Sequence, residues 1–123
     1  MTLAYWILTA LLAVVYLFSG AKKVFQSTDQ LRPMMGWVDD VPLWLVRLVG
    51  VLELLAVAGL VLPPLTGVAP VLAVAAAVGL VQVQIGALVL HLTRGEVKDV
   101  WLNVALLALA GVMVWLAAAV WVS

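Results

Sequence analysis

The chain contains no cysteine. That excludes disulfide staples, thiolate nucleophiles and dithiol redox relays together, and with them a quinone-linked thiol oxidase built on a helical bundle. It contains one histidine, and one histidine with one buried acid makes a poor metal set, so no metal is expected. Charge is equally scarce. Asp, Glu, Lys and Arg make up 10% of the 123 residues, six acids against six bases. A soluble domain carries about 25% charged residues, so this chain lacks the means to cover a water-facing surface. Its zero net charge argues against a nucleic-acid partner. The N-terminus lacks the basic stretch of a cleavable signal, and Met1–Ala21 is apolar for too long to be one. It reads as a retained first span.

What the chain has in abundance is hydrocarbon: 67% hydrophobic residues and a mean hydropathy of +1.28. Four stretches, about 3–23, 43–62, 70–92 and 100–122, approach the ~20 residues that cross a bilayer core. The predicted fold is all-α, an antiparallel four-helix transmembrane bundle forming a single domain over residues 1–123. Asp40-Val41-Pro42 resembles the capped start of the second span, and Pro63-Pro64 its end. Pro70 falls in the first turn of the third span, Gly95 suits a left-handed cap at its end, and Lys98-Asp99 leads into the fourth. The one long polar stretch, residues 26–42, is longer than a helix hairpin needs. Met34, Met35 and Trp37 give it an apolar side, which suits an interfacial loop or a lid, with Trp37 the lid candidate.

Alternation of spans puts both termini and the Pro63–Pro70 turn on one membrane face, and residues 26–42 and 93–99 on the other. All six Lys and Arg residues (Lys22, Lys23, Arg32, Arg47, Arg94 and Lys98) belong to the second face or the half-membrane beneath it. By the positive-inside rule that face is cytoplasmic in a cell membrane, with both termini outside. Trp37, Trp44 and Trp101 suit one interfacial belt, Trp6 and Trp121 the other. In the bilayer, small residues let helix backbones approach. Gly50, Ala56, Ala58 and Gly59 can do this in the second span, and Ala75, Gly79 and Gly86 form a similar stripe on the third.

Glu53 is the most informative residue. At 1.5 Å per residue from Leu43 it lies about 15 Å deep, where a lone carboxylate is costly unless it faces the bundle interior. Two readings stand: a ligand-binding or proton-handling group, or a buried pair that locks two helices. Tyr16, Ser19 and Lys23 share one face of the first helix, and Gln84 and His91 one face of the third. Gln82 points about 200° away from Gln84. Asn103 sits one turn into the fourth helix. Arg47 lies about 120° around the second helix from Glu53 and is a poor direct partner. Each also has a plainer role. Lys22 and Lys23 suit snorkelling anchors, His91 a helix-end cap, Ser19 a bond to its own helix, and Asn103 a helix–helix bond. The simplest arrangement that satisfies them all is a polar cavity in one half of the membrane, lined by Glu53, Ser19, Lys22 or Lys23, Gln84, His91 and Asn103. No catalytic residue is assigned.

Leu17-Phe18-Ser19-Gly20-Ala21-Lys22-Lys23, then Gly50-Val51-Leu52-Glu53, then LVLPPLTGVAPVL, then His91-Leu92-Thr93-Arg94-Gly95-Glu96 follow in order along nearly the whole chain. Together they resemble the DoxX-like family of small four-span membrane proteins, distantly related to chaperones of nicotinic-receptor assembly. The resemblance implies a four-helix bundle with a polar cluster at Ser19, Gly20, Lys23 (or Lys22), Glu53 and His91. It leaves activity open, because the family takes its name from a small subunit of a thiosulfate:quinone oxidoreductase and other members look like membrane partners of redox enzymes. Three functions compete. The first is a non-catalytic module that binds a lipid or quinone and docks a larger membrane protein. The second is a membrane subunit of a quinone-linked oxidoreductase, with Glu53 and His91 relaying protons. The third, proton-coupled transport, needs a homo-oligomer to make room for a pathway, and no inverted repeat is visible.

Overall fold

In the computed structural model, which describes residues 1–96, 98 and 100–122, the first span is one continuous helix, α1 (Thr2–Phe25). The polar connection that follows is partly folded. Ser27 closes a capping box with Gln30 over the short helix α2 (Thr28–Leu31), and a 3-10 turn covers Gly36–Asp39. Three long helices complete the described residues: α3 (Leu43–Thr66), α4 (Leu72–Thr93) and α5 (Val100–Trp121). Together with α1 they are long and apolar enough to cross a membrane. The chain is an all-α four-helix bundle, with no strand among the described residues. Helix α1 packs on α3 and α5, and α4 packs on the same two, so α1 and α4 stand on a diagonal. Asp99, expected at the entry to the fourth span, lies outside the described residues.

Helix α3 does not stop at Leu62. It runs through Pro63 and Pro64 to Thr66 and ends at Gly67, whose φ of 74° is left-handed. Pro64 has no N–H to offer the carbonyl of Leu60, a loss that ordinarily breaks or bends a helix. Here the Tyr5 hydroxyl on α1 donates to that carbonyl at 2.6 Å, in the buried core. A side chain from a neighbouring helix thus replaces the missing backbone donor. Asp40 also departs from expectation. Pro42 occupies the cap position of α3, and the Asp40 carboxylate turns away to an ion pair with Arg94. Pro70 precedes α4 rather than entering it, in a tight turn where Leu72 N–H donates to Ala69. Gly95 does terminate α4 in the left-handed conformation (φ 73°): Gly95 N–H donates to Leu92 O and Glu96 N–H to His91 O, the paired bonds of a Schellman motif.

The end of the bundle away from the polar loop is solidly packed. Tyr5, Leu12, Leu60, Ala73, Ala77, Leu80, Ala110 and Met113 are buried there, and Tyr5, Trp6 and Trp121 stack edge to face with ring centroids 5.2–6.1 Å apart. At the other end, α1 and α3 touch backbone to backbone. A Cβ on Gly50 would fall 2.8 Å from the Gly20 carbonyl oxygen and 2.7 Å from Lys23 Cβ, so the contact requires glycine. Gly59 makes a similar approach to Ala76. The stripe on α4 behaves otherwise. A Cβ on Gly79 or Gly86 would meet nothing within 4 Å, and Ala75, Gly79 and Gly86 line open space instead of packing against a neighbour. Leu3, Ile7, Leu11, Val89, Val112 and Trp115 are among the exposed apolar side chains, the surface that lipid covers.

Candidate functional site

A cavity of about 1400 Å³ lies between the helices and reaches from the polar loop to Gly59, Pro63 and Leu72 near the opposite end. Its walls come from all four long helices, and Met34, Met35, Gly36 and Trp37 of the connection between α1 and α3 lie across its mouth. Most of the lining is aliphatic. The polar exceptions are concentrated: Tyr16, Ser19 and Lys23 from α1, Glu53 from α3, Gln82, Gln84 and His91 from α4, Glu96 just beyond it, and Asn103 from α5.

At the centre, the Lys23 ammonium is ion-paired with Glu53 Oε1 and donates to Ser19 Oγ at 2.8 Å. Glu53 is 1% exposed and Lys23 is also buried. Each charge offsets the other's desolvation, the condition under which an ionisable pair is tolerated at this depth. The helical sequence explains the geometry. Ser19 and Lys23 are one turn apart, so the hydroxyl sits where the lysine side chain folds back, and the Gly20–Gly50 contact brings α1 near enough for Lys23 to reach Glu53. The Trp37 ring covers the ammonium from the loop side, its centroid 5.9 Å from Nζ.

A second polar contact crosses the diagonal of the bundle: Gln84 Nε2 on α4 donates to the Tyr16 hydroxyl on α1 at 2.6 Å. Tyr16, Glu53 and Gln84 lie about 14–15 Å from the loop-side ends of their helices, at 1.5 Å per residue. They therefore form one polar layer near mid-membrane. The layer is incompletely satisfied: Glu53 Oε2 and Gln84 Oε1 are buried with no hydrogen-bond partner, as is Asn103 Nδ2 nearer the loop-side end.

The mouth is held by a separate set of charges. Glu96 Oε1 accepts from Arg94 Nε at 2.7 Å and lies 3.2 Å from His91 Nδ1, and Arg94 also pairs with Asp40 of the connecting loop. The hydrogen bond from Arg94 is the main reason that the Glu96 carboxyl is held below its ordinary value; His91 adds to it, while partial desolvation opposes both. Further along the loop, Arg32 bridges Asp29 and Asp39.

Of the residues expected at the site, Glu53, Ser19, Lys23, Gln84, His91 and Asn103 line this cavity, and Trp37 covers it. Lys22 does not enter. Its ammonium lies over the Phe18 ring, 5.1 Å from the centroid, because one residue along a helix turns the side chain by about 100° from that of Lys23. His91 lines the mouth but is bound to Glu96, with no bond to Glu53. Sequence reading missed the Arg94–Asp40–Glu96 clamp and the role of Arg47. Arg47 Nη1 donates to the backbone carbonyls of Lys23 at 2.8 Å and Gln26 at 2.5 Å, capping the end of α1. An arginine one turn into α3, opposite the exit of α1, was the available signal for that cap.

Fold and site together define an integral membrane protein, a four-helix bundle with a buried ionisable pair on the wall of a cavity between its helices. The chain belongs to the DoxX-like family, whose profile matches residues 7–121. Neither the curated proteins nor the solved structures yield a match.

Proposed function

We propose that this protein is a non-catalytic membrane module that holds an amphiphile in its internal cavity and presents its lipid-facing surface to a larger membrane partner. The observation that carries the reading is the meeting of unpartnered, buried polar atoms with a largely aliphatic cavity of about 1400 Å³. Ligand sites have this composition: apolar walls with a few converging polar groups. The membrane face that gathers the lysines and arginines is cytoplasmic in this reading, by the positive-inside rule. A quinone-linked oxidoreductase subunit is the second reading, favoured by the same cavity. In it a relay between Glu53 and His91 needs an intervening water, since the imidazole is bound to Glu96.

The test uses the open stripe on α4. Gly79→Leu places a side chain where a Cβ meets nothing, so it fills the cavity without disturbing a packed contact. Native mass spectrometry of protein purified from membranes is expected to show a retained amphiphile on the parent chain. The substituted chain, with unchanged helix content, should lose at least about tenfold in occupancy, a change of about 1.4 kcal/mol. A parent chain that carries nothing, or a variant that retains the same species equally, refutes the proposal.

A further inference from the structure

The layer formed by Tyr16, Glu53 and Gln84 constrains what kind of head group the cavity takes, an inference that rests on the reading of the cavity as an amphiphile site. Glu53 divides its two oxygens. Oε1 is engaged by Lys23, and Oε2 is buried with no partner. A carboxylate oxygen in that position accepts hydrogen bonds and donates none. Leaving it unmet carries the full desolvation penalty of a charged group, so an occupant that brings a donor to it gains over one that does not.

The charge state of the cavity limits the donor further. Lys23 is matched by Glu53, and Arg94 by Asp40 and Glu96. Arg47 is committed to two backbone carbonyls, and Lys22 is not among the lining residues, its ammonium lying over the Phe18 ring. Among the described residues, no unmatched cation lines the cavity to receive a phosphate or a carboxylate. An anionic head would instead meet the free oxygen of Glu53. A cationic head would meet the Lys23 ammonium. A head made only of carbonyls, such as an oxidised quinone, offers acceptors to an acceptor. A hydroxyl fits, because its O–H donates to an acceptor, and the two unpartnered atoms of this layer, Glu53 Oε2 and Gln84 Oε1, are both acceptors.

The chain of the amphiphile also has a place. From Gln84 toward the outer membrane face, Gly79 and Ala75 extend the open stripe for about 13 Å of helix at 1.5 Å per residue. Both line the cavity, and at Gly79 a Cβ would meet nothing within 4 Å. The layer supplies the polar end and the stripe supplies the groove.

We propose that the cavity selects a neutral, hydroxyl-bearing amphiphile: its hydroxyl on the free Glu53 oxygen beside Gln84, its apolar chain along Gly79 and Ala75. A lipid alcohol and a hydroquinone share this chemistry.

The test is a matched series of probes on delipidated full-length protein in nanodiscs. The series is a long-chain 1-alkanol, its methyl ether, the fatty acid of the same length, and an alkyl hydroquinone with its quinone. Retention is read by native mass spectrometry. The alkanol is expected to bind at least about tenfold more tightly than the ether, the effect of one hydrogen bond to a charged group. It should also exceed the fatty acid, and hydroquinone should exceed quinone. Binding of the alkanol without the hydroquinone identifies a lipid alcohol as the source; the reverse identifies the quinol. Glu53→Gln leaves Lys23 without a counter-charge and should shift preference toward the fatty acid. Binding of all probes without a hydroxyl preference overturns this inference and leaves the amphiphile site standing. Binding of none overturns both.

Discussion

At the scale of single residues, Lys23 and Glu53 hold the polar centre of the bundle together. Removing one member of a buried ion pair strands the other, at about 3–5 kcal/mol, whereas replacing both with apolar groups of similar volume is often neutral. Lys23→Met and Glu53→Leu are each expected to lower stability by about that amount, and the double variant to recover most of the loss. Unfolding of the protein in bicelles by steric trapping measures the cycle; equal and additive losses would mean that the two charges do not interact. The double variant should also fail to discriminate among head groups, because the acceptor has gone. Glu53 was legible in the sequence because a charge in an apolar span must face inward. The choice of Lys23 over Lys22 was not. Adjacent residues differ by a third of a turn, and only the Gly20–Gly50 contact decides which lysine meets α3.

At the scale of elements, the connection between α1 and α3 is a folded cover. Ser27 and Gln30 cap its short helix, Leu31, Val38 and Val46 bury a small apolar cluster beneath it, and Arg94 ties it to the end of α4 through Asp40 and Glu96. The Glu96 carboxyl is held below its ordinary value of 4.5, chiefly by Arg94. The sign follows. A depressed carboxyl contributes stability above its unfolded value, and that contribution disappears as pH falls through the folded value. The cover should therefore loosen below about pH 4.5, with Glu96 bound to Arg94 and His91 and with Asp40 sharing the same guanidinium. Hydrogen exchange across residues 27–41, corrected for intrinsic rate, is expected to rise in that window. In Arg94→Gln it should be raised already at neutral pH and lose most of its pH response. An unchanged pH profile in that variant would remove Arg94 from the clamp. The sequence suggested a lid through Trp37, Met34 and Met35, yet the clamp joins residues 54 positions apart, and no local pattern announces such a pairing. The end of α3 was misread for a related reason. Pro63 and Pro64 are stop signals within their own helix, and the hydroxyl that overrides them belongs to Tyr5 at the far end of the chain's first span.

At the scale of the whole molecule, α1 and α3 pack closely while a cavity runs between the helices from the charged end toward Pro63 and Leu72. Span number, span order and the clustering of charge were readable from hydropathy and from the Lys and Arg positions alone, because lipid imposes them on any chain of this composition. The hollow was not. Ala75, Gly79 and Gly86 carry the spacing of a packing seam, and small residues serve equally to admit a neighbouring helix or to leave a groove. Only the placement of α3 against α4 distinguishes the two.

The absence of native cysteine opens a direct test of the central claim, that the polar cluster faces a cavity between the helices and not lipid. Ser19 lines the cavity and bonds Lys23, whereas Leu17, two residues earlier on α1, is exposed on the outer surface and does not line it. The measurement is the rate at which a small water-soluble methanethiosulfonate labels Ser19→Cys and Leu17→Cys in membranes. Labelling needs the thiolate, which the neighbouring ammonium favours and lipid suppresses. Ser19→Cys is expected to label at least about tenfold faster, corresponding to a difference of about 1.4 kcal/mol in barrier, and to be protected when a long-chain alcohol is added. Equal rates at the two positions, or a Ser19→Cys that is inert while Leu17→Cys reacts, would contradict the account.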